Sequence, residues 1–413
     1  MSKSLPPAPG VPDRFHGYLD RRMRAARGLG NGSQFVFELA GTVDADDLRA
    51  RLEGARARVP RLNVALQGSR WVACEEPVPV REEAVDGSVE DWFGRWFGEP
   101  FRPLEQPSLE VVLGRTGGGT AVLLRWLHAL SDAPGMDLLC RLLDGEERLK
   151  LEEPAGALVR RLRGDRSLLR RVWDVHHLMG RHVLRELIPP VQAPVDRRAR
   201  QTVRSATLSR DQTAALWARA GELSGTDRNA FLLAASARAF VRAFRPAGWR
   251  SVRLPVPVNL RPPAWRGPVL GNWFAMVLLQ LPVRRLRTLE EAVTTVRAAW
   301  RGAIARHEER ATNALMTPAA VLPTWLGRLV TDGPRLRDGA SLNTSYVELG
   351  TGRGGTFLGH PLQRGLIASS ILAPPGLATV FAGCAGRLSV AVPGQTGASQ
   401  DALFGELLEV LAP

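Results

Sequence analysis

Cysteine and long apolar runs are both scarce in this 413-residue sequence. Its three cysteines are odd in number and widely spaced, which argues against a disulfide framework and for a reducing compartment. No run reaches the roughly eighteen apolar residues of a membrane-spanning helix. Residues 1–12 lack the apolar core of a signal peptide and are expected to form a flexible leader. We therefore expect a cytoplasmic protein, with peripheral contact to a membrane left open.

Several common catalytic motifs are also missing. The sequence contains no GxSxG nucleophile elbow, no Walker A loop and no HExxH zinc motif. The glycine-rich segment 350–355 lacks the GK[ST] ending of a phosphate-binding loop, so a surface loop is the better interpretation. His176, His177 and His182 do not share one face of a helix, and no metal site is expected there.

Positive charge is in excess, with 55 Lys and Arg against 41 Asp and Glu and a net charge of +14. This excess suggests an anionic partner, such as a membrane surface, a phosphorylated ligand like coenzyme A, or an acidic carrier protein. Nucleic acid is disfavoured because the arginines are dispersed and no nucleic-acid-binding motif is present. The segment 154–204 is the most basic, and its helical part, 158–187, could face a membrane, a partner or solvent. A GC-rich genome would explain the arginines equally well.

The length of the chain predicts two domains, because one core rarely extends over this many residues. Apolar residues make up 45% and charged residues 23%, as in ordinary globular proteins. Strand and helix patterns alternate in both halves, which indicates mixed α/β units. We place a first domain at 1–187, a linker at 188–204 and a second domain at 205–413.

The segment around His128 is the strongest candidate for a functional site. The apolar run 121–127 predicts a buried strand, and 136–143 has the pattern of an amphipathic helix. His128 therefore ends a buried strand, and Asp132 follows in the turn before the helix. Chemistry in open α/β sheets is found at strand ends, and histidine suits proton transfer near neutral pH. A core histidine with a backbone partner fits the pattern equally well.

Residues 127–133, Leu-His-Ala-Leu-Ser-Asp-Ala, resemble the His-His-x-x-x-Asp-Gly region of the chloramphenicol acetyltransferase superfamily. The bacterial wax ester synthase/diacylglycerol acyltransferases are the closest branch, and peptide-synthetase condensation domains are more distant relatives. Three later segments extend the resemblance in order: 256–262 is similar to the branch's VPVSLRP segment, 270–272 to its LGN element, and 341–345, with the turn 357–362, to its C-terminal motifs.

The resemblance implies a fold of two acetyltransferase-like α/β sandwich domains, arranged as a V around a central tunnel. It implies that His128 is the general base and that Asp132 is a structural residue paired with an arginine, for which Arg261 is our candidate. Asn272 and Asn343 match asparagines near the family's active site, where they would stabilise an oxyanion or position the substrate.

The sequence departs from the family pattern beside this base. The first motif histidine is Leu127, and the motif glycine is Ala133. The first histidine has a supporting role in the family, so Leu127 alone does not remove the chemistry. Ala133 adds a methyl group that is expected to narrow substrate access. The stretch after Asn343 keeps neither proline of the family pattern. This departure is expected to change the C-terminal wall of the tunnel and so the identity of the substrate.

The resemblance implies an acyltransferase that moves an acyl group from a thioester to a hydroxyl or amine, giving an ester or an amide. Acyl-CoA or a phosphopantetheinyl carrier would be the co-substrate, with no permanently bound cofactor. A small molecule or lipid would be the acceptor, an acyl or peptidyl carrier protein a partner, and the protein a monomer. The alternative is a non-catalytic relative that docks a carrier or partner protein, which the incomplete motif and the basic segment would suit.

Overall fold

The structure is a computed structural model. It describes the following parts of the chain: 11–25, 30–67, 70–101, 107–146, 190–194, 196, 199–261, 270–309, 340–351, 354–371, 375–395 and 397–412. The predicted basic helix at 158–187, with its three histidines, lies outside these residues, as do residues 1–10.

Within the described ranges, helices and strands alternate along both halves of the chain. The helices are α1 Val11–Ala25, α2 Ala45–Arg58, α3 Val89–Phe97, α4 Ala133–Leu143, α5 Arg210–Ser224, α6 Arg228–Phe244, α7 Leu289–Ala305 and α8 Gly397–Leu411. The strands are β1 Gly32–Leu39, β2 Val64–Gln67, β3 Arg70–Ala73, β4 Val80–Ala84, β5 Leu109–Thr116, β6 Gly119–Leu127, β7 Thr202–Thr207, β8 Ser251–Asn259, β9 Phe274–Pro282, β10 Asn343–Glu348, β11 Thr356–Phe357, β12 His360–Ser369, β13 Ala378–Cys384 and β14 Arg387–Gly394.

The first sheet has the strand order β11-β12-β1-β6-β5-β4 and carries the candidate histidine at one end of β6. Its strands pair antiparallel except β4 and β5, which run parallel. Thr116 pairs with Gly119, so a two-residue Gly-Gly turn joins β5 to β6, as expected for a tight hairpin. β6 is buried along almost its whole length, which explains the uninterrupted apolar run that predicted it.

The second sheet has the order β10-β13-β14-β7, and a separate two-stranded sheet is formed by β8 and β9. The apolar faces of α6, α7 and α8 pack with these strands into a second core, distinct from the core around the first sheet. Pro255 and Pro257 lie in β8, where the pairing with β9 continues without a register shift. β8 is thus an edge strand, which is where prolines are tolerated in sheets.

The predicted domain boundary does not divide the chain cleanly. β11 and β12 come from the second half of the sequence, yet β12 pairs with β1 and extends the first sheet. The alternation in β12 puts Leu366 opposite Val36 in the first core. Assigning all of 205–413 to the second domain was therefore wrong for 356–369. The linker prediction also ran too far, because β7 begins at 202, inside 188–204.

Helix α1 was not predicted from the sequence. It begins at residue 11, so the expected flexible leader at 1–12 was wrong for its last two residues. The buried face of α1 includes Asp13, His16 and Asp20, which follow one another at helical spacing. Tyr18 and Met23 are buried on the same helix, and with Phe15 and Leu19 they recur at helical spacing, so hydrophobic periodicity did carry a signal that our sequence analysis missed.

A buried aspartate on α4 binds the loop that follows β10. The carboxylate of Asp137 accepts hydrogen bonds from the backbone N–H of Gly350 (3.0 Å) and Thr351 (2.8 Å) and from the Thr351 hydroxyl (2.7 Å). At the other end of α4, Asp144 accepts from the N–H of Leu358 at 2.6 Å. Helix α4, which follows the candidate site directly, is therefore fixed at both ends to the segment that leads into β12.

We predict that Asp137→Asn lowers the free energy of unfolding by about 2–4 kcal/mol, because the amide cannot accept all three bonds and leaves buried donors unpaired. Urea unfolding would measure this loss. Asp401→Asn is the matched control: its side chain is 52% exposed and pairs with Arg204 at the surface, so a change within about 0.5 kcal/mol is expected. Equal losses in the two variants would contradict the prediction.

Candidate active site

His128 is the first residue beyond β6 and is held in the sheet's hydrogen-bond pattern. Its backbone N–H donates to the carbonyl oxygen of Asn31 at 2.8 Å, directly before β1. The chain then turns, with the N–H of Leu130 bound to the carbonyl of Leu127 at 2.8 Å. The side chain of His128 is only partly exposed. Strand, turn and helix thus fix the backbone on both sides of this histidine.

Asp132 forms the expected ion pair with Arg261. The guanidinium binds both carboxylate oxygens of Asp132 at 2.8 Å, and the two side chains are 4% and 7% exposed. The same carboxylate accepts from the backbone N–H of Gly135 at 2.9 Å, as the N-cap of α4, and from that of Trp273 at 2.8 Å. Four donors therefore satisfy this buried charge, which makes Asp132 a structural residue in geometry.

The LGN element at 270–272 lies against the turn that holds Asp132. The carbonyl oxygen of Gly271 accepts from Arg261 at 3.0 Å and from the backbone N–H of Asp132 at 3.3 Å. Gly271 has φ +131°, and a Cβ atom there would meet the indole nitrogen of Trp273 at 3.0 Å. Glycine is favoured at this position because L side chains rarely adopt this backbone conformation, and a Cβ atom would also require the Trp273 side chain to move by a few tenths of an ångström.

Asn272 fixes which ring nitrogen of His128 carries the proton. Its amide NH₂ points at three acceptors: the carbonyl oxygens of His128 (2.8 Å) and Ala129 (3.3 Å) and the Asp13 carboxylate (2.9 Å). The amide oxygen therefore faces Nδ1 of His128, at 3.2 Å. Since that oxygen can only accept, Nδ1 carries the hydrogen and Nε2 keeps its lone pair. This is the tautomer that a general base requires.

Asp13 on α1 supports Asn272. One carboxylate oxygen accepts from the backbone N–H of Asn272 (3.1 Å) as well as from its side chain, and the other binds Arg61 at 2.6 Å. Asp13 and Arg61 are both largely buried. The chain Arg61–Asp13–Asn272–His128 is thus continuous, and it ends on the Nδ1 side of the histidine.

A second histidine, His16 on α1, stacks on His128. The ring centroids are 3.8 Å apart and the planes differ by 3°. Nδ1 of His16 lies 2.9 Å from the amide nitrogen of Asn31, which also donates to the carbonyl oxygen of His16 at 3.3 Å. Phe274 borders both rings, at centroid distances of 5.4 and 6.3 Å. Sequence reasoning missed His16, although Asp13, His16 and Asp20 form a row of polar residues at helical spacing.

Both histidines are neutral in the folded state at neutral pH. Burial lowers the pKa of His128 below its ordinary value of 6.5, although Asp132 and the bond to Asn272 act in the opposite direction. Burial also places the pKa of His16 well below 6.5, and His128 lowers it further. The stack would be unfavourable if both rings were charged, because like charges in contact repel.

The remaining candidate residues lie outside this cluster. Asn343 begins β10 and its N–H binds the carbonyl of Leu377 at 3.2 Å; in the described part of the chain, no hydrogen bond joins it to His128. Leu127 is fully buried in a small apolar cluster with Leu66, Phe101 and Ala129. Ala133 packs its methyl group against the first core.

No group of three or more His, Cys, Asp or Glu side chains that could hold a metal ion occurs among the described residues. None of the helices seen in those ranges is both long enough and apolar enough to cross a bilayer.

A known protein family is similar to the part of the chain that contains Asn272. Residues 270–404 match the model of the WS/DGAT C-terminal domain. The match includes the LGN element and confirms the resemblance to the wax ester synthase/diacylglycerol acyltransferase branch. Comparison with curated proteins gives no significant match.

Solved structures show the fold of the whole chain. The first condensation domain of the CDA synthetase superposes with a TM-score of 0.71 at 21% identity, covering 99% of this chain and 96% of that one. The starter condensation domain of rhizomide synthetase, solved with C8-CoA, gives 0.66 at 13% identity, covering 95% and 91%. Polyketide synthase associated protein 5 from Mycobacterium tuberculosis gives 0.63 at 16%, covering 100% and 99%. The chain therefore has the two-lobed acetyltransferase-like fold.

We predict that Asp132→Ala and Arg261→Ala each lower the free energy of unfolding by about 3–5 kcal/mol, because each leaves the partner charge buried and unpaired. The double variant should lose much less than the sum of the two. A urea-unfolding double-mutant cycle would measure the coupling. Additive losses would show that the pair does not act as a unit.

We predict that stability falls as the pH drops below about 6.5, because the unfolded chain binds a proton that buried His16 excludes in the folded state. The free energy of unfolding should decrease by up to about 1.4 kcal/mol per pH unit for this residue. His16→Phe should reduce this slope of the free energy of unfolding against pH. At pH 8 the substitution should have a smaller effect on the free energy of unfolding than at low pH. Identical slopes for His16→Phe and the native protein, from urea unfolding at several pH values, would refute this.

Proposed function

We propose that the protein is an acyltransferase that moves an acyl group from a thioester to a hydroxyl or amine, with His128 as the general base. Both comparisons support acyl transfer in general. The observation that carries the proposal is the orientation of Asn272, which donates to backbone oxygens and leaves its own oxygen for Nδ1 of His128. The lone pair on Nε2 is thereby available to an incoming O–H or N–H group.

The reaction needs no covalent enzyme intermediate. Nε2 of His128 takes the proton of the acceptor as the acceptor's lone pair attacks the thioester carbonyl carbon, and the π electrons of C=O move to the oxygen. When the oxyanion collapses, the C–S bond breaks and the thiolate leaves with that bond's electrons. The thiolate takes the proton back from His128. The products are an ester or amide and a free thiol.

The surroundings of His128 suit this role. Its lowered pKa keeps the ring neutral at and above neutral pH, so the base is present without prior deprotonation. The structural pair of Asp132 and Arg261 holds the turn and takes no part in proton transfer. Acyl-CoA and a phosphopantetheinyl carrier are both proposed donors, and a small molecule or a lipid is the proposed acceptor.

A non-catalytic docking function is the second candidate. The observation that favours it is Leu127, which replaces the first motif histidine with a side chain buried in an apolar cluster. A docking protein would bind an acyl-loaded carrier without releasing thiol. It would also tolerate the loss of the His128 imidazole.

We predict that His128→Ala lowers the rate of acyl transfer by about 10²–10⁴-fold, since the acceptor loses its base. Thiol release from octanoyl-CoA, with 1-octanol or octylamine as acceptor, would be followed by a thiol reagent and product mass. His307→Asn is the matched control, a partly exposed histidine with φ 54°, which asparagine tolerates. Its rate should be native. Undiminished transfer in His128→Ala would rule out His128 as the general base. If the native protein transfers no acyl group, the docking function is favoured.

A further inference from the structure

A general base at His128 needs, beside it, a hydrogen-bond donor for the carbonyl oxygen that becomes negative. Asn272 was expected to stabilise an oxyanion or position the substrate. Its NH₂ group already donates to two backbone carbonyls and to Asp13. An amide with both hydrogens engaged by buried acceptors cannot serve a substrate without breaking those bonds. The geometry therefore indicates that Asn272 orients His128 rather than binding the substrate, and it leaves the donor unassigned.

His16 presents a buried N–H group beside His128. Asn31 donates to the carbonyl oxygen of His16, which can only accept, so the nitrogen end of the Asn31 amide faces the imidazole. Nδ1 of His16 must then be the acceptor, and the hydrogen of the neutral ring lies on Nε2. Nε2 is buried, and no hydrogen-bond partner for it occurs in the part of the chain that the structure describes. The residue is 6% exposed.

An unpaired buried donor is costly and usually marks a ligand or a function. This donor lies directly beside the base, because the two rings are parallel and 3.8 Å apart. Phe274 closes the same region from the side. The side chain of His128 is only partly exposed, so a ligand atom bound to it lies next to the His16 ring that stacks on it.

We propose that Nε2–H of His16 donates a hydrogen bond to the thioester carbonyl oxygen and stabilises the oxyanion formed at His128. The inference rests on the proposed acyl transfer. The proton of the acceptor goes to Nε2 of His128, the negative charge goes to the former carbonyl oxygen, and the proton on Nε2 of His16 stays in place throughout. An already oriented donor is effective because it needs no rearrangement when the charge develops.

The decisive variant is His16→Phe, which keeps an aromatic ring against His128 but has no N–H group. We expect turnover of octanoyl-CoA to fall roughly 10²-fold, as when one oxyanion donor is removed elsewhere. His16→Gln, which retains an N–H donor on a side chain of similar length, should recover part of the rate. The acidic limb of the kcat/KM profile should stay where it is in the native protein. A shifted limb would mean that His16 acts through His128, and would overturn the proposal.

Substrate analogues separate the donor role from a purely structural one. One analogue of octanoyl-CoA replaces the sulfur with CH₂ and keeps the carbonyl; the other is a thioether that lacks the carbonyl oxygen. The native protein should bind the ketone more tightly, and His16→Phe should weaken ketone binding about 3- to 10-fold while thioether binding is unchanged. This binding measurement does not depend on turnover.

The outcomes distinguish this inference from the proposed function. If the native protein turns over octanoyl-CoA, and His16→Phe weakens the binding of both analogues equally or of neither, the role of His16 is overturned and the proposed function is not. If the native protein neither turns over octanoyl-CoA nor binds either analogue, the proposed function fails and the inference with it. Should His16→Phe not fold, Asn31→Ala replaces it: the ring remains, its proton is no longer fixed on Nε2, and a smaller loss in both assays is expected.

Discussion

The carboxylate of Asp132 is the interaction on which the site depends. It binds the Arg261 guanidinium through both oxygens, caps α4 and accepts from the N–H of Trp273, so the turn after β6 is joined to a segment over a hundred residues away. A buried charge with four donors allows little change in geometry, because losing any one of them leaves an unpaired group. The position of His128 between β6 and this turn follows from that constraint.

The second constraint is a row of polar side chains on α1. Asp13, His16 and Asp20 are all buried. Asp13 binds the side chain of Asn272, His16 binds the side chain of Asn31, and Asp20 accepts from the backbone N–H of Asn31. The cost of burying these groups is offset by hydrogen bonds rather than by apolar contact. A polar face of this kind fixes orientation, because each hydrogen bond restricts direction as well as distance.

Much of the site could be predicted because its determinants are local or belong to a motif. The buried strand, the break at Ser131–Gly135 and the following helix indicated where His128 lies, and motif order indicated Arg261 as the partner of Asp132. Helix α1 was missed although Tyr18 and Met23 mark its apolar side, and periodicity could not reveal that polar residues such as His16 are buried beside them. The crossing of β12 into the first sheet was missed as well, because pairing between distant strands has no local sequence signal.

Leu127 has a different meaning once α1 is considered. A histidine at 127 would have to replace a fully buried leucine that packs with Leu66, Phe101 and Ala129. The ring that contacts His128 comes instead from His16, more than a hundred residues earlier in the chain, and stacks on it directly. An incomplete motif in the sequence therefore does not imply an incomplete site. Spatial neighbours, rather than the adjacent residue, determine the tautomer and the charge of His128.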